Sequence, residues 1–120
     1  MRRIDPRDVE PYRTLDGSLV RELVHPRRGS HVRNLSVALA EVEPGARTRP
    51  HRHDFDEVYV ILEGSPVVNV GDARHETRPW DVVEIPAGTL HNIENPGPTT
   101  ARVLCVCSPP YTHRGTHLRR

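Results

Sequence analysis

Short apolar runs alternate with turn residues along the whole chain. Twelve prolines and eight glycines divide the sequence into segments of strand length, and no long stretch keeps a helical period. Gly71-Asp72 separates two of these segments and is typical of a hairpin turn. Many short strands with frequent turn signals predict an antiparallel all-β sandwich or barrel. The candidate strands are residues 19–24, 32–42, 53–62, 67–70, 75–77, 82–85, 90–94 and 102–107.

One segment combines this alternation with residues that bind metals. Side chains two apart on an extended strand project from the same face, which here groups His51, His53, Phe55, Glu57, Tyr59 and Ile61. Two imidazoles and a carboxylate are three potential ligands, and His91 would reach the same site from a second strand. This donor set suits one divalent ion of iron, zinc, manganese or nickel. The cluster contains no cysteine, whereas closed structural zinc sites more often use cysteines.

These ligands belong to two motifs that resemble those of a known family. The first consists of a glycine, an HxH pair, a glutamate and a second glycine, at Gly45, His51, His53, Glu57 and Gly64. The second is PxGxxH followed by an asparagine, at Pro86, Gly88, His91 and Asn95. In this order and with this short gap, they resemble the paired motifs of the cupin superfamily.

The resemblance implies a double-stranded β-helix, the small jelly-roll barrel of cupins. Its core would span about residues 32–107, within a single domain that covers residues 1–120. The second motif usually opens with glycine, and this chain has Trp80 there. Glycine at that point would adopt positive φ without strain, so the tight turn is in question while the ligands are unaffected.

Composition gives no support for a nucleic-acid or membrane partner. The formal net charge is +1, from 17 basic and 16 acidic residues. All the basic residues are arginine, which we attribute to the base composition of the source genome rather than to phosphate recognition. No apolar run approaches the ~20 residues that span a bilayer, and the amino terminus lacks the apolar stretch of a secretory signal. We therefore expect a cytoplasmic protein.

The segment 102–107 is apolar on both faces and contains both cysteines. Cys105 and Cys107 lie two apart on one strand, where they are poorly placed to bond to each other, so we interpret them as a reduced pair. A strand buried on both faces needs cover beyond the barrel interior. The resemblance implies a homodimer that supplies this cover; the alternative is that the terminal segments supply it within one subunit.

Substrate-binding residues are harder to assign than metal ligands. Tyr59 shares the ligand face, where its hydroxyl would orient a substrate or bond a neighbour, and Phe55 would form a wall of the pocket. Arg49 lies two residues before His51, so on an extended segment it would share the ligand face. There it would attract a substrate carboxylate at the opening of the pocket. The tail, residues 108–120, either folds over the barrel opening or is loose. We interpret the other histidines as surface or loop residues: His25, His31, His75, His113 and His117.

The predicted function is that of a metal-dependent enzyme acting on a small molecule. An Fe(II) centre with open positions would support a dioxygenase. A zinc, nickel or manganese centre would act as a Lewis acid, as in isomerases, lyases, cyclases or biosynthetic enzymes that form N–N bonds. The alternative from another class is a sugar- or effector-binding cupin without turnover. The intact set of four ligands favours an enzyme, although no acid–base residue is assigned.

Overall fold

Strands dominate the structure, a computed structural model that describes residues 2–119. Two short 3-10 helices, Pro6–Asp8 and Pro26–Arg28, flank the first long strand. The strands in this part of the chain are β1 (Tyr12–Arg13), β2 (Leu19–Val24), β3 (Ser36–Val42), β4 (His51–His53), β5 (Asp56–Glu63), β6 (Val67–Val70), β7 (Ala73–Glu76), β8 (Val82–Ile85), β9 (His91–Glu94), β10 (Ala101–Ser108) and β11 (Thr116–Leu118).

Two antiparallel sheets face each other across one hydrophobic core. The larger sheet has the order β1-β2-β3-β10-β5-β8, and the smaller has the order β11-β4-β9-β6-β7. Both sheets contribute to the core, which includes Ile61 and Val103 from the larger sheet and Val68 and Ile93 from the smaller. This arrangement confirms the predicted all-β jelly-roll barrel. No helix within residues 2–119 is long and apolar enough to cross a membrane.

The predicted strands agree closely with the observed ones. Strands β2, β6 and β8 have the predicted bounds, and Gly71-Asp72 does connect the hairpin β6–β7. The predicted strand 53–62 corresponds to β4 and β5, which are separated at residues 54–55. The alternation of buried and more exposed side chains continues across this break. Every second residue from His51 to Ile61 is buried. The short strands β1 and β11 were not predicted.

The turn before β8 is formed although it lacks the usual glycine. Trp80 has a φ of 75°, and its backbone N–H donates to the carbonyl of Ile61 at 2.7 Å. The Asp81 carboxylate accepts from the backbone N–H of Arg78 at 2.9 Å and secures the same turn. A left-handed conformation costs a residue with a Cβ about 1–2 kcal/mol. The indole ring is 76% exposed, so its own packing offsets little of that cost.

Asn95, the last residue of the second motif, has a structural role. Its side chain is buried, and its amide donates to the carbonyls of Val42 and Thr99 at 2.8 and 2.9 Å. Its side-chain oxygen accepts from the N–H of Gly97 at 3.1 Å. Asn95 therefore ties the end of β9 to β3 and to the following loop.

The outer face of the larger sheet carries an apolar surface. Two rows of paired residues cross it: Leu39, Leu104, Val60 and Val82 in one, and Val37, Val106 and Val58 in the other. Apart from Val82, which is 61% exposed, these side chains are half-buried. Arg102 lies at one end of this surface and pairs with Glu41 and Glu63. An apolar centre with a charged rim is typical of a protein interface.

Candidate metal site

Three histidines meet inside the barrel. His51 and His53 lie on β4, and His91 lies on β9 directly opposite His51. Their ligand atoms all lie within 4.8 Å of one another, and the three side chains are buried. The structure thus brings together residues that are about forty positions apart in the sequence.

Hydrogen bonds fix the orientation of two of these rings. The Nδ1–H of His51 donates to the carbonyl of Arg49 at 2.8 Å, and the Nδ1–H of His91 donates to the carbonyl of Thr89 at 2.9 Å. A carbonyl oxygen only accepts, so Nδ1 carries the hydrogen in both rings. In the neutral imidazole, Nε2 then presents its lone pair to the barrel interior.

The third ring is fixed by a side chain from the carboxyl-terminal segment. The Nδ1 of His53 lies 2.9 Å from Thr116 Oγ1, and the Thr116 hydroxyl donates to the carbonyl of Thr112 at 2.8 Å. Because this hydroxyl hydrogen is already used, its oxygen accepts from His53 Nδ1–H. All three histidines therefore adopt the same tautomer, with Nε2 free for a metal.

Glu57 presents its carboxylate to two of these histidines. Its Oε1 lies 3.2 Å from Nε2 of His53 and 3.1 Å from Nε2 of His91. Its Oε2 accepts from the thiol of Cys107, with a sulfur–oxygen distance of 3.3 Å. Burial would raise the pKa of Glu57, but hydrogen bonds and positive charge from His53 and His91, which require a proton on each Nε2 in place of a metal, lower it to about 2. The carboxylate is therefore anionic at neutral pH.

The donor set fits a metal ion. Lone pairs on the nitrogens and an anionic carboxylate repel one another unless a cation lies between them. Protons on the rings would supply positive charge, but burial and the neighbouring His91 lower the pKa of His51. Nitrogen and oxygen donors of this kind suit a divalent transition metal, with the outer hydrogen bonds orienting each ligand.

A cavity of about 50 Å³ lies beside the histidines. Its wall includes Asp16, Tyr59, Cys105, Cys107 and Tyr111. None of the arginines within residues 2–119 lines it, so the charged groups at its surface are carboxylates and histidines. This volume holds a few water molecules or one small ligand.

The other predicted site residues fall in different places. Tyr59 is buried and lines the cavity. Phe55 stacks on the ring of His53, with centroids 4.5 Å apart, and also contacts Tyr111. The side chain of Arg49 is exposed and lies outside the cavity lining. Arg49 contributes through its backbone, because its carbonyl holds His51.

Several residues that line the site were not predicted to belong to it, among them Asp16, Cys107, Tyr111 and Thr116. Asp16 lies in the turn between β1 and β2, with Oδ2 3.5 Å from Nε2 of His51. The Asp-Gly pair of that turn is a hairpin signal, but it does not indicate a site. The tail folds over the barrel, since β11 pairs with β4. This contact decides between the two alternatives for residues 108–119, while Arg120 lies outside the described residues.

The fold and the site together define a small antiparallel β-barrel with a histidine cluster in its interior. The family model described as the Cupin domain matches residues 38–107. More than half of the chain is thereby matched, and the chain belongs to the cupin family. The match includes the four predicted ligands but neither Asp16 nor Thr116.

Comparisons with known proteins agree with this assignment. Uncharacterized protein MJ1618 of Methanocaldococcus jannaschii is 39% identical over 111 residues, which cover 92% of this chain and 88% of that protein. Dimethylsulfoniopropionate lyase DddW of Ruegeria pomeroyi is 39% identical over 59 residues, which cover 49% of this chain and 39% of the lyase.

Solved structures show the same fold. The polyketide cyclase RemF of Streptomyces resistomycificus superposes with a TM-score of 0.84 at 22% identity, covering 100% of this chain and 86% of the cyclase. A predicted oxalate decarboxylase of Thermotoga maritima gives a TM-score of 0.79 at 23% identity, covering 90% of this chain and 99% of that one. At these identities the similarity concerns the barrel alone.

Proposed function

We propose that this protein is a metal-dependent enzyme acting on a small molecule, with His51, His53, Glu57 and His91 holding one divalent ion. The observation that carries this proposal is the common tautomer of the three histidines. Each Nδ1–H is bound to an acceptor outside the cluster, and each Nε2 faces the interior. Fixed ligands beside a cavity are typical of a catalytic rather than a closed structural site.

The residues around the ion have separable tasks. When bound, a divalent ion supplies Lewis-acid chemistry that polarises a substrate oxygen or activates water. The Cys107 thiol holds one oxygen of Glu57, which keeps the other oxygen directed at the histidines. Tyr59 lines the cavity with a ring 5.9 Å from that of His91, close enough for its hydroxyl to orient a bound substrate. The small cavity limits the substrate to a compact molecule.

Lewis-acid chemistry is the reaction class we favour, with a lyase reaction as its first candidate. Cys105 and Cys107 line the same cavity as free thiols. Thiols beside a centre that activates dioxygen would be open to oxidation, whereas a Lewis acid that does not change its oxidation state spares them. The lyase from Ruegeria pomeroyi, 39% identical over 59 residues, supports the same class. RemF lends no support to a cyclase reaction, because its similarity is one of fold.

An Fe(II) dioxygenase is the second candidate function. Three imidazoles and a carboxylate are an N/O donor set that also suits ferrous iron, and the specific observation in its favour is the absence of thiolate among the proposed ligands. A sugar-binding role is less well supported. The cavity of about 50 Å³ is far below the about 300–1,000 Å³ of sites for drug-sized ligands.

Elemental analysis of protein purified without chelators or a histidine tag tests the metal site. We expect about one metal ion per chain in the wild type and almost none in His53→Ala and His91→Ala, with circular dichroism showing a folded barrel in both. His75→Ala, at an exposed position on β7, is the matched control and should keep its metal. Stoichiometric metal in both site variants would mean that the ion binds elsewhere.

Turnover assays in the presence and absence of dioxygen separate the two reaction classes. Zinc, nickel or manganese with dioxygen-independent conversion of lyase, isomerase or cyclase substrates would support Lewis-acid chemistry. Iron with oxygen consumption would support the dioxygenase instead. A metal-loaded protein that binds small molecules and converts none of them would favour a binding role.

We also propose that two copies of the chain associate through the apolar outer face of the larger sheet. The two apolar rows and the charged rim around Arg102 support this interface, because a second copy would bury the exposed Val82. An isologous dimer of this kind places the same face of each subunit against the other.

A further inference from the structure

Asp16 reaches the metal site from a turn outside the residues matched by the Cupin domain. The turn between β1 and β2 is closed by hydrogen bonds between Thr14 and Ser18, at 3.0 Å, and between Gly17 and Thr14, at 3.1 Å. The N–H of Arg49 donates to the carbonyl of Asp16 at 2.7 Å. This last contact joins the turn to the segment that leads into β4, so the position of Asp16 relative to His51 is fixed by the backbone.

The two oxygens of the Asp16 carboxylate have different surroundings. Oδ1 accepts from the N–H and the hydroxyl of Ser18, at 2.9 and 2.7 Å, and from the hydroxyl of Thr14. Oδ2 faces the histidines, 3.5 Å from Nε2 of His51. The hydrogen bonds to Oδ1 therefore orient the carboxylate and leave Oδ2 directed at the site.

The contact between Asp16 and His51 brings two acceptors together. Nδ1–H of His51 already donates to the carbonyl of Arg49, so its Nε2 presents a lone pair to Oδ2. Glu57 contacts Nε2 of His53 and His91 in the same manner. Each histidine of the cluster thus has a carboxylate oxygen beside its Nε2. Glu57 contacts His53 and His91, and Asp16 contacts His51.

Resting on the proposed function, we propose that Asp16 is a fifth protein donor, through Oδ2, to the metal held by the histidines and Glu57. Two donors that each lie about 2.1 Å from one ion are about 3.0–3.4 Å apart at angles of about 90–110°. The contacts of Glu57, at 3.1 and 3.2 Å, have this spacing, and that of Asp16, at 3.5 Å, is slightly longer. The group of ligand atoms that lie within 4.8 Å of one another consists of the three histidines, so the Asp16 side chain would move toward the ion when it binds. Two carboxylates would balance the charge of a divalent ion inside the barrel.

Metal affinity and the visible spectrum of the cobalt(II)-substituted protein test this proposal. We expect Asp16→Asn to bind zinc and cobalt about tenfold or more weakly than the wild type in chelator competition, and to show an altered cobalt absorption spectrum. Ser18→Ala removes one of the hydrogen bonds that orient the Asp16 carboxylate but keeps the donor oxygen, so we expect it to weaken binding by less than Asp16→Asn does. Asp72→Asn, at an exposed position, controls for the loss of one negative charge. Thermal denaturation in chelator shows whether each variant is folded.

The outcomes distinguish this proposal from the proposed function. Wild-type affinity or a wild-type cobalt spectrum in Asp16→Asn would overturn the fifth donor and leave the four-ligand site intact. Equal weakening in Ser18→Ala and Asp16→Asn would assign the effect to the turn, and would also overturn it. A wild-type protein that binds no metal would overturn both proposals.

Discussion

Thr116 holds the ring of His53 from 63 positions further along the chain, with its Oγ1 2.9 Å from Nδ1. Thr116 begins β11, which pairs with the strand that carries His53 and His51. The last strand in the described part of the chain therefore belongs to the site as well as to the fold. Outer hydrogen bonds of this kind fix the orientation and raise the basicity of a metal-ligating histidine.

Thr116→Val should weaken metal binding without removing a ligand. Valine keeps the shape of threonine but offers no oxygen to His53 Nδ1–H, so the ring loses its orientation. We expect a loss of about 10–100-fold in metal affinity, measured by chelator competition. Thr89→Val is the matched control, because His91 bonds to the backbone carbonyl of Thr89, which that substitution keeps. Equal affinities in the two variants would contradict the role of the Thr116 hydroxyl.

Glu57→Gln should lower metal affinity while leaving the metal-free protein folded. Glutamine keeps the size of glutamate but removes the negative charge, and its amide N–H groups donate to the histidine nitrogens that a metal would occupy. We expect at least about a tenfold loss of affinity, with circular dichroism in chelator showing a folded barrel. Glu84→Gln, at an exposed position on β8, should bind like the wild type. Unchanged affinity in Glu57→Gln would mean that the carboxylate is not a ligand.

Trp80→Gly should stabilise the protein by about 1 kcal/mol, because glycine adopts the positive φ of this turn without a Cβ clash. The exposed indole contributes little burial that would be lost. The free energy of unfolding in urea measures the effect. Trp80→Ala keeps a Cβ and should show no comparable gain. If the alanine variant gained as much as the glycine variant, the ring rather than the backbone would be the source of the strain.

Leu104→Asp should convert the proposed dimer to monomers. Leu104 lies in the middle of the apolar outer face, paired with Leu39 and Val60, where a second copy would bury an unpaired carboxylate. Analytical ultracentrifugation at micromolar concentration should show a dimer for the wild type and a monomer for the variant. Ala73→Asp, on the exposed strand β7 of the other sheet, should leave the dimer intact. A monomeric wild type would contradict this interface.

The pattern of the sequence was sufficient to predict an antiparallel all-β fold and the ligand strand, and the resemblance to cupins selected the barrel. Alternation depends only on backbone parity, so His51, His53 and Glu57 were predicted to share a face although β4 and β5 are separate strands. The turn at Trp80 also formed where the motif places it, held by the hydrogen bonds from Trp80 N–H to Ile61 and from Arg78 N–H to Asp81.

The residues that the sequence did not reveal act through distant contacts. Asp16 and Thr116 lie on short elements without alternation, and their relation to the ligands depends on strand register, which local pattern does not encode. His25 lies in a loop, as predicted, but it is buried, because its Nε2–H donates to the carbonyl of Tyr111 86 positions away at 2.8 Å. The predicted position of the Arg49 side chain on the ligand face was wrong. Side chains two apart share a face only on a strand, and the segment around Arg49 is not a strand.

The pairing of β11 with β4 extends the site beyond the residues that supply its four proposed ligands. A fragment limited to residues 38–107 would contain all four of them but would lack both Thr116, which orients His53, and Asp16, which faces His51. Under the proposed coordination, removal of either flanking segment would lower metal affinity although every histidine ligand is still present.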